Sequence, residues 1–210
     1  EEAALKLGYR PNRAASALRT GRTHTIGVLV PDITNPVFPP ILQGIEASAA
    51  ARGYFVFVTN VVDHALARPI VERMLAQRVD GLVMATATRD DPLVDYIAKA
   101  GMHAVLVNRA DETGRLPAVV SDDRLAMKLA VDHLVVTGHR RIGHLAGPQN
   151  IPTGVGRRQG VEQALRDRGL EMACVVECES YSREAGRVAM KLLLSAPALP
   201  DAVVCCNDLV

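Results

Sequence analysis

Tryptophan is absent from the 210 residues, and the other aromatics are few: three phenylalanines and four tyrosines. A surface that grips single strands by stacking bases on aromatic platforms is therefore excluded. No apolar run reaches the ~18 residues a membrane helix needs, and the opening Glu1-Glu2-Ala3-Ala4-Leu5-Lys6 is not a signal peptide. A cytoplasmic location is expected, with no membrane partner. Cysteine is sparse too. Cys174, Cys178, Cys205 and Cys206 lie in segments that read as strands, without Cys-x-x-Cys spacing, and are expected to be buried free thiols.

The motifs of several enzyme classes are also missing: Gly-x-x-x-x-Gly-Lys-Ser/Thr, Gly-x-Ser-x-Gly and His-Glu-x-x-His. Gly154-Val155-Gly156-Arg157-Arg158-Gln159-Gly160 approaches a dinucleotide loop, but it has one residue too many before its last glycine and does not leave a strand directly. His139 and His144, five apart around a turn and a strand, fit no common metal pair. No enzyme, metal site or cofactor is expected.

What the chain does have is an uneven distribution of charge. Its formal net charge is only +1, yet Lys6, Arg10, Arg13, Arg19 and Arg22 occur without a carboxylate among them. Residues 1–25 carry five basic and two acidic groups, or +3, which leaves −2 for the rest. A basic arm on a mildly acidic body points to a polyanion partner at one end. Pro11 favours an extended residue before it and Asn12 is a good N-cap, so a short helix can run from Arg13 to about Leu18 before Gly21 ends it. Two turns fall short of the ~12 residues that are marginal in water, so this helix should form only against a partner. Ala14, Ala15 and Ala17 keep it slim, and Leu18 is an apolar wedge of the kind that enters a DNA minor groove.

Three ordered runs carry a resemblance: Leu7-Gly8-Tyr9-Arg10-Pro11-Asn12, then Ala15-Ser16-Ala17-Leu18-Arg19-Thr20-Gly21-Arg22-Thr23, then Ile26 through Pro36. Together they resemble the junction of lactose/galactose-repressor (LacI/GalR) transcription factors. In that family a helix-turn-helix head is joined by a hinge helix to a two-lobed effector domain of periplasmic-binding-protein type. The resemblance implies double-stranded operator DNA as partner, a homodimer with a tetramer as the alternative, and DNA contacts from Tyr9, Arg10, Asn12, Arg13, Ala15, Leu18, Arg19 and Arg22. Ser16 departs from a frequent arginine and removes a phosphate contact.

From His24 onward, apolar runs alternate with amphipathic stretches, the sign of parallel strands joined by helices. Strands are expected at 26–30, 54–59, 80–85, 104–107, 118–121, 142–145, 174–178 and 203–206. A helix is expected from an Asn35 cap to near Gly53, with others through Ile70–Leu75, over 92–100, through Leu125–Leu134, over 156–168 and over 183–194. The domains read as 1–9, the end of a helix-turn-helix head; 10–23, a hinge; 24–121, a first lobe; and 122–210, a second lobe. Both ends have the look of truncation.

In open parallel sheets, ligands sit beyond the carboxyl ends of the strands. Several residues in those turns match effector-contacting positions of the family: Phe38, Thr153, Arg157, Tyr181 and Asp208. Arg157 and Asp208 offer donors and acceptors for hydroxyls, while Phe38 and Tyr181 offer ring faces, which suits a sugar, polyol or sugar acid. Ile151 and Val37 stand where some family members have a polar and an aromatic contact. The alternative is a periplasmic sugar-binding protein of the same fold with no DNA role.

Overall fold

The computed structural model describes residues 21–210. The expected hinge helix, and every expected DNA contact except Arg22, lie outside those residues. Arg22 is exposed.

The described chain divides into two units. One runs to Thr86 and takes in Pro92–Val107 and Arg115–Pro117; the other comprises Ala87–Asp91, Asn108–Gly114 and Ala118–Val210. In the first, β1 (Thr25–Val30), α1 (Phe38–Ala50), β2 (Phe55–Asn60), α2 (Ala67–Ala76), β3 (Gly81–Met84), α3 (Pro92–Lys99) and β4 (Ala104–Val107) alternate as expected. In its sheet the order is β2-β1-β3-β4, all parallel neighbours; β5 (Ala118–Val119) belongs to the second unit.

Central strand β1 is apolar on both faces because both are covered. Val28 and Val30 pack with Phe38, Ile41, Leu42 and Ile45 of α1. On the opposite face, a Cβ at Gly27 would come within 2.6 Å of the Met74 sulfur of α2 and 2.8 Å of Leu82, so only glycine lets helix and sheet close there. Edge strand β2 leaves Phe55 and Phe57 more than half exposed.

Two helix starts differ from the sequence expectation. Asn35 does not cap α1: its Oδ1 accepts from the Val37 N–H at 3.2 Å and its carbonyl from Phe38 at 3.0 Å, which closes a turn before the helix begins. Pro39 and Pro40 then occupy the first turn, where missing N–H groups cost nothing.

The second unit contains α4 (Asp123–Val136), β6 (Ile142–Ala146), α5 (Pro152–Asp167), β7 (Cys174–Glu177), α6 (Arg183–Leu194) and β8 (Ala202–Cys205). Its three strands are parallel, in the order β7-β6-β8. Here α5 starts four residues earlier than expected, at Pro152, a residue whose fixed φ suits a first helical position. The segment that approached a dinucleotide loop is wound into that helix. Asp122 caps α4 by accepting from Leu125 N–H at 2.9 Å, and Ser182 caps α6 through Ala185 N–H at 3.2 Å. Helices α4 and α5 close over Ile142, Val161, Ala164, Leu165 and Val131 on one face, while α6 covers Leu145 with Ala189 and Leu193 on the other. All four cysteines are free thiols; Cys178 and Cys206 are buried, and Cys174 and Cys205 are half-buried.

His144 is fully buried on β6, with Nδ1 2.8 Å from the Val204 carbonyl. A carbonyl only accepts, so Nδ1 carries the proton; Nε2 faces no hydrogen-bond partner among the described residues. Burial lowers the pKa of this imidazole and Arg158 lowers it further, against the Val204 bond and Glu162. With the folded pKa below the unfolded value of about 6.5, the unfolded chain takes the proton first, so stability should fall as pH drops below that point. Chemical denaturation between pH 8 and 5 should show this loss, and it should shrink in His144→Leu. A pH profile unchanged by that substitution would show that the imidazole is not responsible.

Candidate functional site

The three strands of the second unit point their carboxyl ends the same way. The chain leaves β6 for β7 on one side and returns across it to β8 on the other, so a switch point falls at the end of β6, where open α/β sheets hold ligands. Three segments emerge there: Gly147–Ile151 after β6, Cys178–Ser182 after β7, and Cys206–Asp208 after β8.

The first is held tightly. Gln149 donates from Nε2 to the Gly147 carbonyl at 2.6 Å and from its N–H to Glu177 at 3.2 Å. A Cβ at Gly154 would stand 2.0 Å from the Pro148 carbonyl oxygen, so the first turn of α5 lies directly on the loop. That turn carries Thr153, and the next carries Arg157 on the same face, four residues on. Tyr181 meets both. Its hydroxyl is 3.0 Å from the Thr153 hydroxyl, and the Arg157 guanidinium lies 5.6 Å from its ring centroid, within cation–π range. The ring also rests on Gly147, where an added Cβ would fall 2.6 Å from it.

Arg157 has two further partners. Its Nε donates to Asp123 Oδ1 at 2.8 Å and one terminal nitrogen donates to the Cys206 carbonyl, also at 2.8 Å. The ion pair is mostly shielded, the two side chains being 21% and 16% exposed. Burial raises the Tyr181 pKa, outweighing the Thr153 bond and the charge of Arg157, so the phenol stays protonated and can donate. Burial pushes the Cys206 thiol up to about 12, and the neighbouring Cys178 and Cys205 add to this; it remains a thiol.

Of the five residues expected to contact an effector, Thr153, Arg157 and Tyr181 therefore meet in one cluster. Asp208 lies exposed in the turn after β8, where Asn207 Oδ1 accepts from the N–H groups of Leu209 and Val210. Phe38 belongs to the first unit, where its ring is 2% exposed in the core beneath α1.

The sequence reading did not single out two members of this neighbourhood. Asp123, in the first turn of α4, reaches Arg157 across 34 positions. Arg109, in the turn after β4, is buried and donates to the Ala87 carbonyl at 3.3 Å. Burial lowers its pKa, while Tyr181 and Asp91 act to raise it. No local pattern announces either contact. Among the described residues, no group of His, Cys, Asp and Glu could hold a metal ion, and no helix is long and apolar enough to cross a membrane.

Residues 23–210 match the family model described as periplasmic binding proteins and sugar binding domain of LacI family. The HTH-type transcriptional repressor CytR of Escherichia coli (strain K12) is 31% identical over 210 residues, covering 99% of this chain and 62% of the repressor. The chain thus spans less than two thirds of that relative's length. Among solved structures, a transcriptional regulator CelR–cellobiose complex superposes with a TM-score of 0.78 at 30% identity, covering 99% of this chain and 64% of that one. The Cra transcriptional dual regulator of Pseudomonas putida, in complex with fructose 1-phosphate, superposes with a TM-score of 0.77 at 26% identity, covering 87% and 68%. A family match across nearly all the described residues, on a parallel α/β frame whose polar cluster sits at the carboxyl ends of its strands, places this chain in the family of periplasmic binding proteins and LacI-family sugar-binding domains.

Proposed function

We propose that this chain is the effector-binding part of a DNA-binding transcriptional regulator, and that a sugar-like molecule bound beside Thr153, Arg157, Tyr181 and Asp208 controls its affinity for operator DNA. The observation that carries this reading is Arg157, which is held by Asp123 and the Cys206 carbonyl beside the ring and hydroxyl of Tyr181. Ring face, hydroxyls and a fixed guanidinium together make a recognition surface for a polyhydroxylated ring. Relatives named as a repressor and as a cellobiose-bound regulator support it.

The chemistry suits a polyhydroxylated ligand: a sugar, polyol or sugar acid. Asp123 pairs with Arg157, and Asp208 adds a second carboxylate, so a sugar hydroxyl finds both donors and acceptors. The basic stretch from Lys6 to Arg22 is the proposed DNA contact, in a homodimer whose paired Leu18 side chains enter the minor groove. Driving such a switch from mostly one state to mostly the other requires ~5 kcal/mol of differential effector affinity.

A thermal-shift screen against neutral sugars, polyols, sugar acids and sugar phosphates tests the effector site. A ligand of this class at a hundredfold excess over its dissociation constant should stabilise the protein by ~2.7 kcal/mol, and Arg157→Ala should abolish the shift. A shift that persists in Arg157→Ala would place the ligand elsewhere. In gel shifts, residues 1–210 alone should bind duplex DNA weakly, without sequence preference, and with an affinity that falls steeply with salt. Tight, sequence-selective binding by residues 1–210 would contradict the expected weakness, and an affinity insensitive to salt would contradict the basic stretch as the contact.

A further inference from the structure

At the point where the basic stretch meets the sheet, one carboxylate gathers three donors. Asp80 Oδ1 accepts from the Thr23 N–H at 2.9 Å, and Asp80 Oδ2 accepts from the His24 N–H at 3.0 Å. The Thr23 hydroxyl lies 3.0 Å from Oδ1 and 2.7 Å from the Arg78 carbonyl, with one proton to give between them. His24, whose N–H is the second of these backbone donors, adopts a left-handed φ of 51°. A non-glycine residue in that region signals that its surroundings impose it.

The carboxylate itself is fixed. The Asp80 N–H donates to the Thr25 carbonyl at 2.8 Å, which docks the start of β3 on β1. The preceding turn is closed by bonds from Arg78 to Leu75 and from Val79 to Met74 at the end of α2. On the other side, the His24 ring packs on Tyr54, with centroids 5.2 Å apart, and the His24 carbonyl accepts from Phe55 at 2.8 Å. Burial opposes ionisation of Asp80, but the donors of Thr23 and His24 outweigh it and hold its carboxyl below the usual carboxylate range. Neither residue belongs to the effector cluster, which lies in the other unit.

We propose that Asp80 is the positioning residue of the proposed DNA-binding arm: its bidentate grip on Thr23 and His24 fixes the point and direction at which residues up to Arg22 leave β1. The inference rests on the regulator reading. Without the carboxylate, the two amides lose their acceptors, the left-handed turn at His24 loses its cause, and the arm gains freedom that must be given up again on DNA.

The test uses the full-length protein and the duplex that its wild type selects from a randomised pool. Asp80→Ala should weaken binding to that duplex about tenfold, the scale expected for losing a charge-assisted pair of hydrogen bonds. Hydrogen exchange at the Thr23 and His24 amides should accelerate in the same variant. Asp80→Asn keeps the size of the side chain but offers one oxygen to two amides, so it should bind nearly as poorly; Asp80→Glu, which retains both oxygens, should recover part of the affinity. If Asp80→Ala does not fold, Thr23→Val, which removes only the hydroxyl, carries the test with a smaller loss. Folded variants that bind the duplex like wild type, or an Asn variant that restores binding fully while Glu does not, would overturn the inference. A wild type that selects no duplex would instead sink the regulator reading, before any variant is measured.

Discussion

A guanidinium drawn mostly out of water needs partners in fixed places, and the arrangement at the carboxyl ends of β6, β7 and β8 depends on how Arg157 finds them. Asp123 comes from the first turn of α4, the Cys206 carbonyl from the end of β8, and the Tyr181 ring from the segment after β7. Arg157 itself rides on α5. Four elements distant in sequence are thus tied to one side chain, and the loop between Gly147 and Ile151 is shaped by what they leave. Within the cluster, Asp123 neutralises Arg157 directly.

The two units reach similar frames by similar local means. Ile26-Gly27-Val28-Leu29 in β1 and Ile142-Gly143-His144-Leu145 in β6 share a pattern, and each strand has parallel neighbours on both sides. At Gly27 a Cβ would strike Met74 and Leu82; at Gly143 it would strike the Cys174 sulfur at 2.9 Å and Pro200 at 3.1 Å. In both strands the glycine admits neighbouring side chains so closely that any larger residue would force them apart. Valine at position 28 and histidine at position 144 then show how differently the same inward position can be filled. An imidazole in such a place needs an acceptor for its one proton, which β8 supplies through Val204.

Periodicity made the order of strands and helices legible, since apolar runs and amphipathic stretches have different repeats. Strand β4 and helix α6 fall on the expected residues. Helix starts were less legible because they depend on which N–H one side-chain oxygen accepts from: Asn35 accepts from Val37 and so stands outside α1, whereas Ser182 and Asp122 cap as their residue type suggests. Within the candidate site, Thr153, Arg157 and Tyr181 could be named through family resemblance, but the contacts that fix them could not. The pairing of Asp123 with Arg157 and the burial of Arg109 are products of tertiary closure, and sequence spacing carries no trace of them. The grip of Asp80 on Thr23 and His24 is of the same kind, spanning more than fifty positions.

The contact between Gly147 and Tyr181 has a consequence for how such a chain can change over generations. A side chain at 147 would occupy space the phenol ring already fills, while a smaller residue at 181 would leave Thr153 without its hydroxyl partner and Arg157 without its ring. The constraint runs one way: glycine at 147 tolerates many residues at 181, but a side chain at 147 can arise only after the ring has gone. A lineage that reshapes the aromatic wall thereby opens a position that was closed to every residue but glycine.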